Sequence, residues 1–150
     1  MRMNLTTQLV LKISNILPKL SYFVPGKAHP DVVKLCVEEL KKSGFDIPMY
    51  DYENDGYQWV SWTLNEILIF DFVAFNEQKL ILGECRFYRD SFVPIEDIKD
   101  FIERITRVKP EGRRIHALFI SNLPINSEGY SIINKFEDIN FETVIASVKI

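Results

Sequence analysis

Three charged residues sit where a folded chain ordinarily keeps apolar ones. Asp71 lies inside the run "EILIFDFVAF" (66–75), flanked by Phe70 and Phe72, and Glu84 and Arg86 close a second run, "LILGECR" (80–86). A carboxylate within an apolar strand is costly when buried unpaired, so Asp71 calls for a cation or a metal. Two carboxylates converging on one spot suit Mg²⁺, which takes hard oxygen ligands and is commonly held by one or two carboxylates plus a phosphate oxygen. A cation two residues past the second acid could orient an attacking water or stabilise charge on a scissile phosphate. The same residues also describe a salt-bridged strand end, with one acid paired to Arg86 or Arg89 and no chemistry.

The surrounding elements decide whether the three can meet. Both runs are rich in β-branched and aromatic residues, and "NEQK" (76–79) makes a turn, so they form a hairpin. Alternation along a strand puts Glu84 and Arg86 on one face and turns Cys85 to the other. With the turn at 76–79, Asp71 falls opposite Glu84.

Helical spacing marks residues 5–20, through Leu9, Ile13, Ile16 and Leu20, with Thr6 or Thr7 as N-cap and Pro18 near the end. The connector "SYFVPGKAHP" leads to a helix over 31–43 with the stripe Val33, Cys36, Val37 and Leu40, opened by Pro30 or Asp31 and closed by a left-handed Gly44. "IPMYDYENDGYQW" (47–59) reads as a loop with strand fragments. A third helix spans 95–107, with Ile95, Ile98, Phe101, Ile102 and Ile105 on one side, Pro94 before it and Glu96 and Asp97 in its positive first turn. A strand buried on both faces (114–121), a short helix behind an Asn126/Ser127 cap (127–136) and a last strand (141–148) complete the chain. Strand–helix–strand crossovers after a hairpin imply an α/β fold: a mixed central sheet flanked by helices, with an extra N-terminal helix.

The 150 residues suit one domain, with 1–28 as N-terminal helix and connector and 29–150 as core. At 47% hydrophobic and 26% charged the composition is that of a globular protein, and a net charge of −3 excludes a global basic excess, so contact with nucleic acid must rest on a local patch. Cys36 and Cys85 fit neither a disulfide framework nor a zinc spacing and read as buried free thiols. No apolar run approaches membrane-spanning length, and "MRMNLTTQLV" lacks the features of a signal peptide, so the expected location is cytoplasmic, with no membrane partner.

The stretch "IFDFVAFNEQKLILGECRFYRDSFVPIEDIKDF" resembles the PD-(D/E)xK, or restriction-endonuclease-like, nuclease superfamily: an acid in one strand, Glu-x-Lys in the next, then a helix. It is similar in flavour to the nuclease-like C-terminal domain of archaeal ATPases, where an acid, a hydrophobic residue, Val and Ala precede Gly-Glu-Cys-Lys. "RIHALFISN" and "SEGYSIINKF" resemble the next core strand and the helix behind it, so the likeness covers roughly 30–148. It implies a restriction-endonuclease-like fold, Mg²⁺ held by Asp71, Glu84 and Cys85, and hydrolysis of DNA phosphodiesters by Asp71, Glu84 and Arg86, with DNA, an ATPase or a second copy of the chain as partners. Two positions depart from the pattern. The lysine falls on Arg86, which is effectively never deprotonated and presents a planar fork instead of an ammonium. By ungapped register from Gly44, the acid of the first core helix falls on Val33, with Glu38 and Glu39 on other faces. The resemblance therefore admits a non-cleaving module that binds nucleic acid or a partner, or an active Mg²⁺-dependent endonuclease.

Further candidates lie outside that motif. "ERITRVKPEGRR" gathers Arg104, Arg107, Lys109, Arg113 and Arg114, which either track a phosphate backbone or form a solvated helix end. Tyr57, Trp59 and Trp62 either stack on bases or pack in the core. The N-terminal helix either docks a partner or covers the sheet. His29 and His116 carry no assigned role.

Overall fold

The computed structural model describes residues 5–16, 23–61, 66–89, 91–136 and 138–145. The helices are α1 (Leu5–Ile16), α2 (Pro30–Lys42), α3 (Ile95–Thr106) and α4 (Ser127–Ile133). The strands are β1 (Tyr50–Asp51), β2 (Gly56–Ser61), β3 (Glu66–Phe70), β4 (Phe72–Phe75), β5 (Lys79–Cys85), β6 (Arg114–Ser121) and β7 (Asn140–Ile145). The fold is α/β with two sheets. β1-β2-β3 is antiparallel, and β4-β5-β6-β7 is mixed, with β4 antiparallel to β5 and the remaining pairs parallel.

The single strand expected over 66–75 is broken at Asp71, and its halves belong to different sheets. The break arises because the carboxylate of Asp71 takes a ladder position. Cys85 N–H donates to Asp71 Oδ2 at 2.8 Å, and the N–H of Asp71 donates to Glu84 Oε2 at 3.2 Å. Side chains thus supply the hydrogen bonds that backbone carbonyls supply elsewhere in the hairpin. The expected register holds beyond the break, with Phe72 opposite Gly83 and Phe75 opposite Leu80. The strand fragments of 47–59 are β1 and the start of β2, and β2 pairs with β3 from Tyr57↔Phe70 to Ser61↔Glu66.

The four-stranded sheet is covered on both faces, so β5 is buried from Leu80 to Cys85. On one face Leu9 and Ile13 of α1 and Val32, Cys36, Val37 and Leu40 of α2 pack with Phe72, Ile81, Cys85 and Ile120. On the other Ile98, Phe101, Ile102 and Ile105 of α3 pack with Val73, Leu80, Leu82 and Phe119. α1 therefore covers the core through Leu9 and Ile13. Thr6 and Thr7 lie within the span of α1, while Pro18 and Leu20 lie outside the described residues.

Local chemistry sets the helix ends as the sequence implies. Past α2, Gly44 takes φ +91 and donates to Lys41 O while Phe45 N–H donates to Leu40 O, which satisfies two carbonyls of the last turn. Asn126 caps α4 by accepting from Gly129 N–H at 2.9 Å. The close approach that needs a glycine is at Gly83, where a Cβ would overlap the Phe72 ring lying across it.

Candidate functional site: two acids and two guanidiniums

Asp71 and Glu84 meet where the hairpin geometry puts them, and both are buried, at 4% and 2% exposure. Arg86 does not stand free beside them. Its Nε and Nη2 make two parallel 2.8 Å bonds to Asp71 Oδ2 and Oδ1, and its Nη1 donates to Gly26 O at 2.9 Å. This bidentate fork is the geometry guanidinium adopts on a carboxylate, and an ammonium cannot reproduce it. Arg86 Nη2 also lies 3.6 Å from Glu84 Oε2.

The second cation comes from α3. Arg104 pairs with Glu84 Oε1, donates to Ile69 O at 2.6 Å and to Asp100 Oδ2 at 3.2 Å, and lies over the Phe70 ring at 5.1 Å. Sequence reasoning grouped Arg104 with the basic segment. A charge count could have singled it out, because two buried acids demand two cations and the strand offers one.

The electrostatics follow from this arrangement. Burial, with the neighbouring Asp71 carboxylate, pushes Glu84 up to about 8, even though both guanidiniums pull the other way. Burial works against the charge on Arg86, but its bonds to Asp71 and the nearby Glu84 carboxylate outweigh it and raise the guanidinium further. Cys85 turns its thiol into the core beneath α2, where burial pushes it well up, and it contributes its backbone N–H to Asp71.

The donor set does not fit Mg²⁺ as arranged. Asp71 Oδ1 and Oδ2 are both engaged by Arg86, Glu84 Oε1 by Arg104, and Glu84 Oε2 by the Asp71 amide. Each of the four carboxylate oxygens already accepts from a guanidinium or a backbone amide, so a hydrated cation would have to compete with Arg86 and Arg104 for them. Among the described residues no three His, Cys, Asp or Glu side chains gather as a metal cluster.

Asp71 also lines a cleft of about 330 Å³ between α2 and the β1–β2 turn. Val33 and Glu38 both line it, five residues apart on α2. Glu39 instead pairs with Lys42 at 3.5 Å and Lys12 at 3.8 Å.

The basic segment is not one patch. Arg104 points into the acid pair, and Arg113 donates to Asn76 O at 2.6 Å and lies over Trp59 and Phe75. Arg107 pairs with Glu66 and Glu103, while Lys109 and Arg114 are exposed. Trp59 is a core residue whose indole N–H donates to Lys109 O at 3.0 Å, Tyr57 is half-buried, and Trp62 lies outside the described residues. His116 Nδ1 lies 3.0 Å from Asn140 Nδ2, and His29 is buried against Phe87.

No family model and no curated protein matches the chain. Among solved structures, the crystal structure of a protein of unknown function, AF1548, aligns with a TM-score of 0.50 at 12% identity, over 74% of this chain and 55% of that one. The chain spans about half the length of that structure, and the likeness is one of fold alone. No helix among the described residues is long and apolar enough to cross a membrane. The architecture is a mixed α/β fold with helices on both faces of its four-stranded sheet.

Proposed function

We propose that the chain is a non-cleaving member of the restriction-endonuclease-like class that binds nucleic acid without hydrolysing it. The observation that supports the non-cleaving part of this reading is the fork of Arg86 on Asp71, completed by Arg104 on Glu84. A cleaving site of this type presents carboxylate oxygens to a metal and keeps a cation free to act on water or phosphate. Here the acids are spent on internal cations and on backbone amides, and Arg86 is spent on Asp71. The motif then serves as the joint between two sheets, and any function resides in surfaces around it.

Calorimetric titration with Mg²⁺ and Mn²⁺, beside a cleavage assay on plasmid and branched DNA, tests the proposal. The expected result is no specific heat and no nicking. Metal-dependent nicking that disappears in Asp71→Ala would overturn it and establish the endonuclease.

A further inference from the structure

We infer that the cleft between α2 and the β1–β2 turn takes up one nucleotide of a single strand, with the base against Tyr50 and Tyr57 and the phosphate between Lys34 and Lys41. The inference deepens the binding reading above and rests on it. The α2 wall is one helical face, in which Val33 and Val37 give an apolar floor and Lys34 and Lys41 stand above it two turns apart. The opposite wall is aromatic. The rings of Tyr50 and Tyr57 lie 5.1 Å apart, edge to face, and the Tyr50 hydroxyl is held by Asp55, so that ring is fixed before any ligand arrives.

Three features argue for a nucleotide. The volume of about 330 Å³ lies at the small end of ligand pockets, suited to one nucleotide and too small for a folded segment. A planar ring and an anion are what an aromatic wall and a pair of lysines recognise together. Lys34 and Lys41 are exposed and have no ion-pair partner among the described residues, whereas the adjacent Lys42 is paired with Glu39. Glu38 and Asp55 offset the two lysines across the cleft, so attraction acts by contact and not by long-range steering. Asp71 at the base adds no free charge because Arg86 holds both its oxygens.

Fluorescence anisotropy with a short labelled single-stranded oligodeoxynucleotide tests this, with adenosine monophosphate as competitor. One phosphate is held between the two lysines, so the expected slope of log K against log salt is about −0.7, the value per phosphate of a single strand. The double variant Lys34→Ala/Lys41→Ala, at exposed positions, should bind about tenfold more weakly and lose most of that slope. Tyr57→Phe should bind as wild type, and Tyr57→Ala about tenfold more weakly. Displacement by the mononucleotide at similar concentration makes the free nucleotide the natural source and supports the same chemistry. Unchanged affinity in the lysine variant overturns the cleft assignment while leaving nucleic-acid binding in place. Equal, lysine-dependent affinity for duplex also overturns it. Absence of binding by either probe overturns both the cleft and the binding reading, while the metal and cleavage assays still decide the non-cleaving one.

Discussion

Asp71 and Glu84 are joined through each other's backbone. Glu84 Oε2 accepts the N–H of Asp71, and Asp71 Oδ2 accepts the N–H of Cys85, the residue after Glu84. Neither carboxylate can be lost without leaving an amide unpaired inside the sheet layer.

Arg86→Ala should therefore destabilise the fold strongly. It leaves Asp71 buried without its counter-charge and orphans Gly26 O, a loss of about 3 kcal/mol. Arg86→Lys retains charge but not the fork and should fall between Ala and wild type. Urea denaturation at neutral pH measures both, and a loss under about 1 kcal/mol for Arg86→Ala would mean the pair is not structural.

Stability should fall as pH rises toward mild alkalinity. Folded Glu84 keeps its proton up to about 8, while the unfolded chain releases it near the ordinary 4.5. Between those values folding takes up a proton, so this contribution is fully present below 4.5, shrinks as pH rises and levels off above 8. His116, whose pKa burial lowers, titrates in part of the same window with the opposite sign. The diagnostic quantity is hence the difference between wild type and Glu84→Gln, whose denaturation midpoints should diverge across that window. Parallel curves would refute the assignment.

Gly83→Ala should cost about 2 kcal/mol, because the new methyl must displace the buried Phe72 ring. Gly83→Ala combined with Phe72→Leu should recover part of that loss. Thermal unfolding of the two variants distinguishes a steric conflict from a backbone effect.

Asn126→Ala removes the cap of α4 and should cost about 1 kcal/mol, with Asn126→Asp close to neutral. Equal losses in both would place the effect in the preceding loop and not in the cap.

Much of this layout is legible in the sequence, and its gaps have physical causes. The turn at 76–79 and strict alternation place Asp71 opposite Glu84, because hairpin register leaves one solution. Pro30 and Gly44 bracket α2, and the stripe of α3 is buried as its spacing implies. The break at Asp71 is not legible, since period-2 patterning cannot register a side chain replacing a backbone hydrogen bond. Arg104 escapes for a related reason: its target is 20 residues away in sequence and becomes near only when α3 folds over the sheet. Arg113 likewise looks like a surface cation until Trp59 and Phe75 are seen beneath it.

The crossing at Asp71 has a consequence for how the molecule opens. One chain passes there from the antiparallel sheet to the mixed one, and its local bonds end on acidic side chains instead of carbonyls. Ladder amides exchange with solvent only when the strands part, but the amide of Asp71 is released once the Glu84 carboxylate rotates away, and that of Cys85 once the Asp71 carboxylate does. Hydrogen exchange should hence find a line of weak protection running through the best-buried region of the protein. β1 to β3 would then behave as a separately opening leaf, and a ligand seated against Tyr57 would close it from outside.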